Sequence, residues 1–434
     1  MVVYEIMASE QINGKPTSIN GEISLPGDKS ISHRAVILGS LADGVTNVEG
    51  FLKSKDTFST ISAMQLMGTE IGWQDEILKI KGSGLHGLKE PEDVIDAGNS
   101  GTTSRLLIGL LSAQIFSSSI TGDKYLQKRP MGRVINPLRQ MGAKIQAKDD
   151  SKLPLSIQGT SLTGISYEMP VASAQVKSSI LLAGLFAQGQ TEVIELVPTR
   201  DHTEKMMQYL GIDLSTNGNS IKISKSDGFK SADILIPSDF STAAFYIVAA
   251  LINPNSQILI KNVGINPYRI GALEILLKMG GDIELINKRE LNGEPVADIV
   301  AKSSSLRGIN IFGEMIPKAI DELPIIAVAA CFAEGTTKIT DAGELRVKET
   351  DRIKSTVSEL KKLGADIEEL SDGMKIEGRE QLTGSECTSW GDHRIAMSVA
   401  IAATCANGQT TIEDSNAAAV SYPQFFETLK SIRS

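Results

Sequence analysis

A chain of 434 residues with 41% hydrophobic side chains can bury more than one sizeable core, about three domains at ~150 residues each on length alone. Its net charge of −9 excludes a general nucleic-acid surface, so any basic cluster is local and its anions small. Cys331, Cys387 and Cys405 form no CxxC pair, a spacing that supports neither a zinc site nor a disulfide framework and points to the cytoplasm.

The first ten residues, Met1 to Glu10, lack a basic region followed by an apolar core and lack the Arg-rich character of a transit peptide. Neither a secretory signal nor an organelle leader is expected. No run of about 20 apolar residues occurs, so no membrane span is expected.

A β-like run, Glu22 to Leu25, meets the turn Pro26-Gly27, and an apolar helical pattern begins near Ile31. The turn carries Lys29 and Ser30, with Arg34 one helical turn further on. A helix N-terminus leaves N–H groups unpaired at the positive end of the dipole. Two cations and a hydroxyl there suit a phosphate or a carboxylate. A capped, solvated helix start fits this one stretch equally well.

The same device recurs. Polar turns lead into Ala- and Leu-rich helices at Asp96–Thr102, Val171–Gln175, Ile236–Asp239, Ala319–Glu322 and Ser389–Arg394. The helical stretches Ser178–Phe186 and Ile325–Phe332 are apolar nearly all round, which predicts burial. Between the turns lies a block centred on a glycine: Gly68, Gly142, Gly211, Gly280 and Gly364, at intervals of 74, 69, 69 and 84 residues. Each glycine is expected as a left-handed cap that closes a helix before a strand. The period is too long for common solenoids, so each repeat is expected to be a compact αβ unit.

Six helix starts stand against five complete glycine blocks. Phe425–Leu429 reads as the sixth closing helix, and Val2–Leu25 has the length and alternation to supply the strands missing after it. Six repeats divide into two lobes of three. Residues 25–237 are expected to form one lobe, and residues 1–24 with 238–434 the other. Crossovers near 24–26 and 236–239 would form the hinge.

Equivalent repeats place all six turns at the same end of their units, so two facing lobes would aim six helix N-termini into one cleft. The turns supply Lys29, Ser30, Asn99, Gly101, Thr102, Ser173, Gln175, Asp321 and Arg394. N-capping explains the hydroxyls and amides. It explains Lys29, Gln175 and Asp392-His393-Arg394 less well. Outside the turns stand Lys128–Gly132, Arg200-Asp201-His202 and Arg346–Arg352, where the four-residue spacing of Lys348 and Arg352 suggests one helical rim shared with Glu349. Arg105 reads as structural.

Six stretches in this order are highly specific: Leu25–Arg34, Asn99–Thr102, Lys128–Gly132, Ser173–Lys177, Arg346–Arg352 and Asp392-His393-Arg394. With them the chain resembles the 5-enolpyruvylshikimate-3-phosphate (EPSP) synthase family, class II branch, over essentially its whole length. The resemblance implies an α/β fold of two lobes, each an inside-out α/β barrel of three βαβαββ repeats. It also implies transfer of the enolpyruvyl group of phosphoenolpyruvate to the 5-hydroxyl of shikimate 3-phosphate.

By the same resemblance, Lys29, Arg129, Arg352 and Arg394 hold phosphoenolpyruvate, with Gly101 and Gln175 beside it. Lys29, Ser30, Arg34, Ser173, Ala174, Gln175, Arg200, Asp321 and Lys348 hold shikimate 3-phosphate, and Asn99 and Thr102 support the site. Asp321 is the implied base for the hydroxyl, Glu349 the implied acid toward the methylene carbon, and Lys29 shares the proton work. No metal or organic cofactor is implied. The two small molecules are the implied partners of a monomer that needs neither nucleic acid nor membrane.

Some residues depart from the better-known branch. Val420 replaces a lysine, Ala174 a second serine and Arg200 a tyrosine. Gly101 leaves room for glyphosate, so competition with phosphoenolpyruvate is expected. UDP-N-acetylglucosamine enolpyruvyl transferase is disfavoured because Thr121–Gly132 holds no cysteine. RNA 3′-terminal phosphate cyclase is disfavoured by the acidic charge. A non-catalytic scaffold would need the repeats but not the proton donors.

Overall fold

The structure is a computed structural model and describes residues 9–15, 17–379 and 381–433. The expectations for the extreme N-terminus, including the absence of a leader, fall partly on residues 1–8, outside the described residues. The chain divides into two compact units. The first comprises Gly27–Pro237 and Glu290–Glu294. The second comprises the described parts of Met1–Pro26, Ser238–Arg289 and Pro295–Ser434.

Six central helices organise the repeats. In the first unit they are α1 (Lys29–Leu41), α2 (Gly101–Ser112) and α3 (Ala174–Gly184). In the second they are α4 (Phe240–Ile252), α5 (Leu323–Cys331) and α6 (His393–Thr404). Every residue of α5 and α6 is buried, as their apolar circumference requires. Each unit has its own apolar core built on its three helices. At Gly109 a Cβ would stand 2.2 Å from the Ser179 carbonyl oxygen, so glycine lets α2 and α3 pack backbone to backbone.

One repeat illustrates the others. Strand Ile95–Asp96 precedes α2 and pairs in parallel with Ser117–Thr121 behind it. A surface helix, Gly132–Gln140, follows. The hairpin Lys144–Lys148 and Lys152–Gln158 completes an open four-stranded sheet. Lys152–Gln158 alternates buried and exposed residues, so one face of the sheet covers the helices and the other meets water. The sheets therefore lie outside and the apolar helices inside. The five block glycines all take positive φ, from +77° at Gly211 to +101° at Gly142, which a Cβ would strain.

The N-terminal segment serves two sheets. Ser9–Gly14 pairs antiparallel with Ala406–Glu413 of the sixth repeat. Asn20–Ser24, in contrast to the reading that places all these strands in the sixth repeat, pairs in parallel with Gln257–Gly264 of the fourth. The cause is topological. Ile234–Leu235, the strand before α4, is committed to Asp43–Glu49 of the first repeat, so the fourth sheet takes its parallel edge from the strand before α1. Residues 290–294 also depart from the expected boundary. Glu294 bonds His202 Nδ1 at 2.7 Å, and Asn292 Oδ1 accepts from the Leu235 N–H at 2.7 Å, which groups this hairpin tip with the first unit.

All three cysteines are unpaired and buried. Burial pushes their thiols up to about 12 for Cys331, about 12 for Cys387 and about 11 for Cys405. The folded protein should therefore react negligibly with dithionitrobenzoate at pH 8, and all three thiols should react in guanidinium. A thiol titrating within seconds in buffer would contradict this burial. Among the described residues no helix is long and apolar enough to cross a membrane.

Candidate active site

In the first unit Lys29, Ser30, Gly101, Thr102, Ser173, Ala174 and Gln175 sit at the starts of the central helices. Asp28 caps α1 by accepting from the Ile31 N–H at 2.9 Å, which puts Lys29 and Ser30 in the first turn. Lys29 Nζ lies 3.1 Å from Asp56 Oδ2. The backbone oxygen of Asp56 in turn accepts from the Thr103 hydroxyl at 3.3 Å, tying it to the first turn of α2. Ser100 and Ser173 cap α2 and α3, which places Gly101, Thr102, Ala174 and Gln175 in first turns.

These turns are cross-linked. Gln175 accepts from Arg105 Nη1 at 2.6 Å and donates through Nε2 to the Thr102 hydroxyl at 3.0 Å. Arg129 Nη2 donates to Asn99 Oδ1 at 2.5 Å, and Asn99 Nδ2 donates to Asp123 at 2.9 Å. Arg105 thus reaches Gln175 from inside its helix, beyond the structural role read from sequence.

Arg34 is buried and held on three sides. It donates to the Thr203 hydroxyl at 2.6 Å, the Ser178 hydroxyl at 2.7 Å and the Ser30 carbonyl oxygen at 2.8 Å. Burial pulls its guanidinium down to about 10. Arg34 therefore buttresses Ser30 from beneath. Arg200 lies half-buried just before the helix His202–Tyr209.

The second unit pairs cations with carboxylates. Arg352 is 1% exposed. Its Nε lies 2.7 Å from Asp392, Nη2 2.6 Å from Glu349 and Nη1 3.4 Å from Asp321. Burial alone would lower this guanidinium, but Asp392, Glu349 and Asp321 together hold it above its ordinary value. Lys348 Nζ lies 3.5 Å from the same Asp321 oxygen. The shared helical rim expected for Lys348 and Arg352 is not formed. Asp351 caps a helix that begins only at Arg352, so Lys348 lies in extended chain and meets Arg352 at Asp321 instead.

Arg394, in the first turn of α6, reaches Ser241 at 3.2 Å and Glu322 at 3.5 Å. Glu322 is fully buried and also pairs with Arg269 at 2.7 Å. Sequence periodicity does not single out Arg269, Glu322, Ser241 or Asp56. Adjacency of Glu322 to Asp321 is the one local signal. Trp390, two residues before Asp392, has φ of +57°. Glu359 holds that strained turn, accepting from Trp390 Nε1 at 2.7 Å and from the Thr388 N–H at 2.9 Å.

The first unit thus offers Lys29 in the first turn of α1, with Arg105 and Arg129 reaching the starts of α3 and α2 through Gln175 and Asn99, an arrangement suited to anions. The second offers Asp321 and Glu349 beside Lys348 and Arg352, carboxylates able to move protons next to cations able to hold phosphate. Among the described residues no group of three or more His, Cys, Asp and Glu side chains could hold a metal ion.

Three-repeat units with buried helices inside, sheets outside and charged side chains at the helix starts define the enolpyruvyl transferase fold. A sequence profile described as EPSP synthase (3-phosphoshikimate 1-carboxyvinyltransferase) matches residues 14–429. The 3-phosphoshikimate 1-carboxyvinyltransferase of Geobacter sulfurreducens is 52% identical over 416 residues, covering 96% of this chain and 97% of that protein. That of Thermoanaerobacter sp. is 49% identical over 414 residues, covering 95% and 98%. A solved EPSP synthase from Acinetobacter baumannii matches with a TM-score of 0.88 and 44% identity over 98% of both chains. The chain belongs to the EPSP synthase family.

Proposed function

We propose that the two clusters divide the labour of one reaction. That reaction is the transfer of the enolpyruvyl group of phosphoenolpyruvate to the 5-hydroxyl of shikimate 3-phosphate, a step of the shikimate pathway to aromatic amino acids. The 5-hydroxyl oxygen bonds to C2 of phosphoenolpyruvate while C3 gains a proton, giving a tetrahedral adduct. The adduct then loses a proton from C3 and expels phosphate.

Both substrates carry a phosphate and a carboxylate, so cations must offset their repulsion. Lys29, Arg129, Arg352 and Arg394 are assigned to phosphoenolpyruvate, with Gly101 and Gln175 beside it. Ser30, Arg34, Ser173, Ala174, Gln175, Arg200, Asp321 and Lys348 are assigned to shikimate 3-phosphate, with Lys29 touching both and Asn99 and Thr102 supporting. Asp321 takes the hydroxyl proton, Glu349 delivers one to the methylene carbon, and Lys29 shares this work. Substrate binding brings the two clusters onto one substrate pair and excludes water. A monomer acting in the cytoplasm belongs to the same reading, and buried, unpaired thiols suit a reducing compartment.

One observation carries the division of roles. Arg352 gathers Asp321 and Glu349 on a single buried guanidinium, at 3.4 and 2.6 Å, with Lys348 on the same aspartate. The test is phosphate release with each substrate omitted in turn. Release should need both, and release that ignores either omission would overturn the reading.

Gly101 gives a sharper expectation. A methyl group there would stand 3.0 Å from Arg105 Nη1 and 3.3 Å from Arg129 Nη1, tight enough to shift both guanidinium groups. Gly101→Ala should raise KM for phosphoenolpyruvate about tenfold and weaken competition by glyphosate further, with binding of shikimate 3-phosphate little changed. Unaltered KM and inhibition would count against placing Gly101 and Arg129 beside phosphoenolpyruvate.

A further inference from the structure

The first unit contains a buried ionic cluster that the reaction itself does not use. Lys177 is 1% exposed. Its Nζ lies 2.9 Å from Glu195 Oε2 and 2.6 Å from Glu204 Oε1. Burial alone would lower this ammonium, but Glu204 and Glu195 raise it above the ordinary lysine value, so it stays charged. Burial raises the Glu204 carboxyl, with Lys177 opposing. Glu204 Oε2 is buried with no hydrogen-bond partner among the described residues. One cation between two buried carboxylates, one of them incompletely bonded, is a poor way to stabilise a fold.

Its geometry suits another task. The Lys177 ammonium donates to the Thr199 carbonyl oxygen at 3.2 Å. Glu195 Oε1 accepts from the Thr199 N–H at 3.0 Å and from the Thr199 hydroxyl at 2.5 Å. All three polar groups of Thr199 are therefore fixed by two buried ionic side chains, and the next residue is Arg200. Lys177 itself stands on the first turn of α3, beside Ala174 and Gln175. The neighbouring residue of Glu204, Thr203, accepts from Arg34 at 2.6 Å and bonds the Ser178 hydroxyl at 2.6 Å.

We propose that Lys177, through Glu195 and Thr199, is a positioning residue that sets Arg200 against the α3 turn for recognition of shikimate 3-phosphate. This rests on the assignment of Arg200 to that substrate. Lys177 touches no substrate. It fixes the chain from which the Arg200 guanidinium projects, so its loss is felt as lost Arg200 contacts.

The test is calorimetric titration of the full chain with shikimate 3-phosphate alone, on Lys177→Met, Arg200→Ala and the double variant. Arg200→Ala should raise Kd about tenfold or more, the loss of charge-assisted hydrogen bonds. Lys177→Met should raise it comparably, and the double variant should be no weaker than Arg200→Ala alone, because both changes remove one interaction. Lys177→Met uncovers Glu195 and Glu204 on either reading and should lower the melting temperature in both. The discriminating result is therefore the binding: a merely structural lysine would leave the losses multiplicative. Thr199→Val, which deletes only the hydroxyl, carries the same comparison if Lys177→Met does not fold, with a several-fold rise expected that vanishes on the Arg200→Ala background. Weakened binding in Arg200→Ala with normal binding in Lys177→Met, or in Thr199→Val if that stands in, overturns the positioning role alone. Normal binding in Arg200→Ala overturns the substrate assignment and the positioning role together.

Discussion

Glu349→Gln should lower turnover by about 10²–10⁴-fold while both substrates still bind. Glutamine keeps the shape and can still accept from Arg352 Nη2, which now stands 2.6 Å from Glu349 Oε2. What it loses is the proton that Glu349 is proposed to deliver to the methylene carbon. Asp321→Asn should cost a similar factor at the hydroxyl, less whatever the proposed share of Lys29 in the proton work supplies. Calorimetry on Glu349→Gln separates chemistry from binding, with Kd for shikimate 3-phosphate expected within a few-fold of the parent. Asp321→Asn should weaken that binding as well, because Asp321 is also assigned to this substrate. Turnover within threefold of the parent for Glu349→Gln would remove Glu349 from proton transfer. A binding scaffold, by contrast, would keep its cellular role in this variant.

Arg352→Met should be the most disruptive single change. Methionine fills the space but takes the guanidinium away from three carboxylates, Asp321, Glu349 and Asp392, with Lys348 left on Asp321. Asp392 is fully buried, so the lost pair should cost about 3–5 kcal/mol. The melting temperature should fall, and adding Asp392→Asn should recover part of the loss, since the double variant no longer buries an unpaired charge. KM for phosphoenolpyruvate should rise at least about 100-fold. Arg352→Lys keeps the charge but not the planar fork, and should improve stability more than catalysis. An Arg352→Met protein as stable as the parent would show that the guanidinium does not offset these carboxylates, and one with the parent KM would show that it does not hold substrate.

The elements that sequence makes legible are those whose signals are local. Gly68, Gly142, Gly211, Gly280 and Gly364 mark helix ends because only glycine takes positive φ at low cost. Asp28, Ser100 and Ser173 mark helix starts because a short polar side chain must meet the first free N–H groups. Apolar circumference marks α5 as buried. Partnerships made across the fold leave no such mark. Asp56 meets Lys29 from 27 residues away, and Glu322 meets Arg269 from 53 and Arg394 from 72. The pairing of Asn20–Ser24 with the fourth sheet is likewise invisible in a strand's own alternation, which fixes a face but not a neighbour. Lys348 shows the opposite failure, a spacing that suits a helix in chain that is extended.

Binding of one phosphoenolpyruvate by cations drawn from both units is the claim on which the proposed chemistry depends. Its most direct test is a crystal structure with shikimate 3-phosphate and an unreactive phosphoenolpyruvate analogue bound together. Lys29 and Arg129 of the first unit, and Arg352 and Arg394 of the second, should all lie within ion-pair distance, about 4 Å, of the same analogue. An analogue held by the side chains of one unit alone would contradict it.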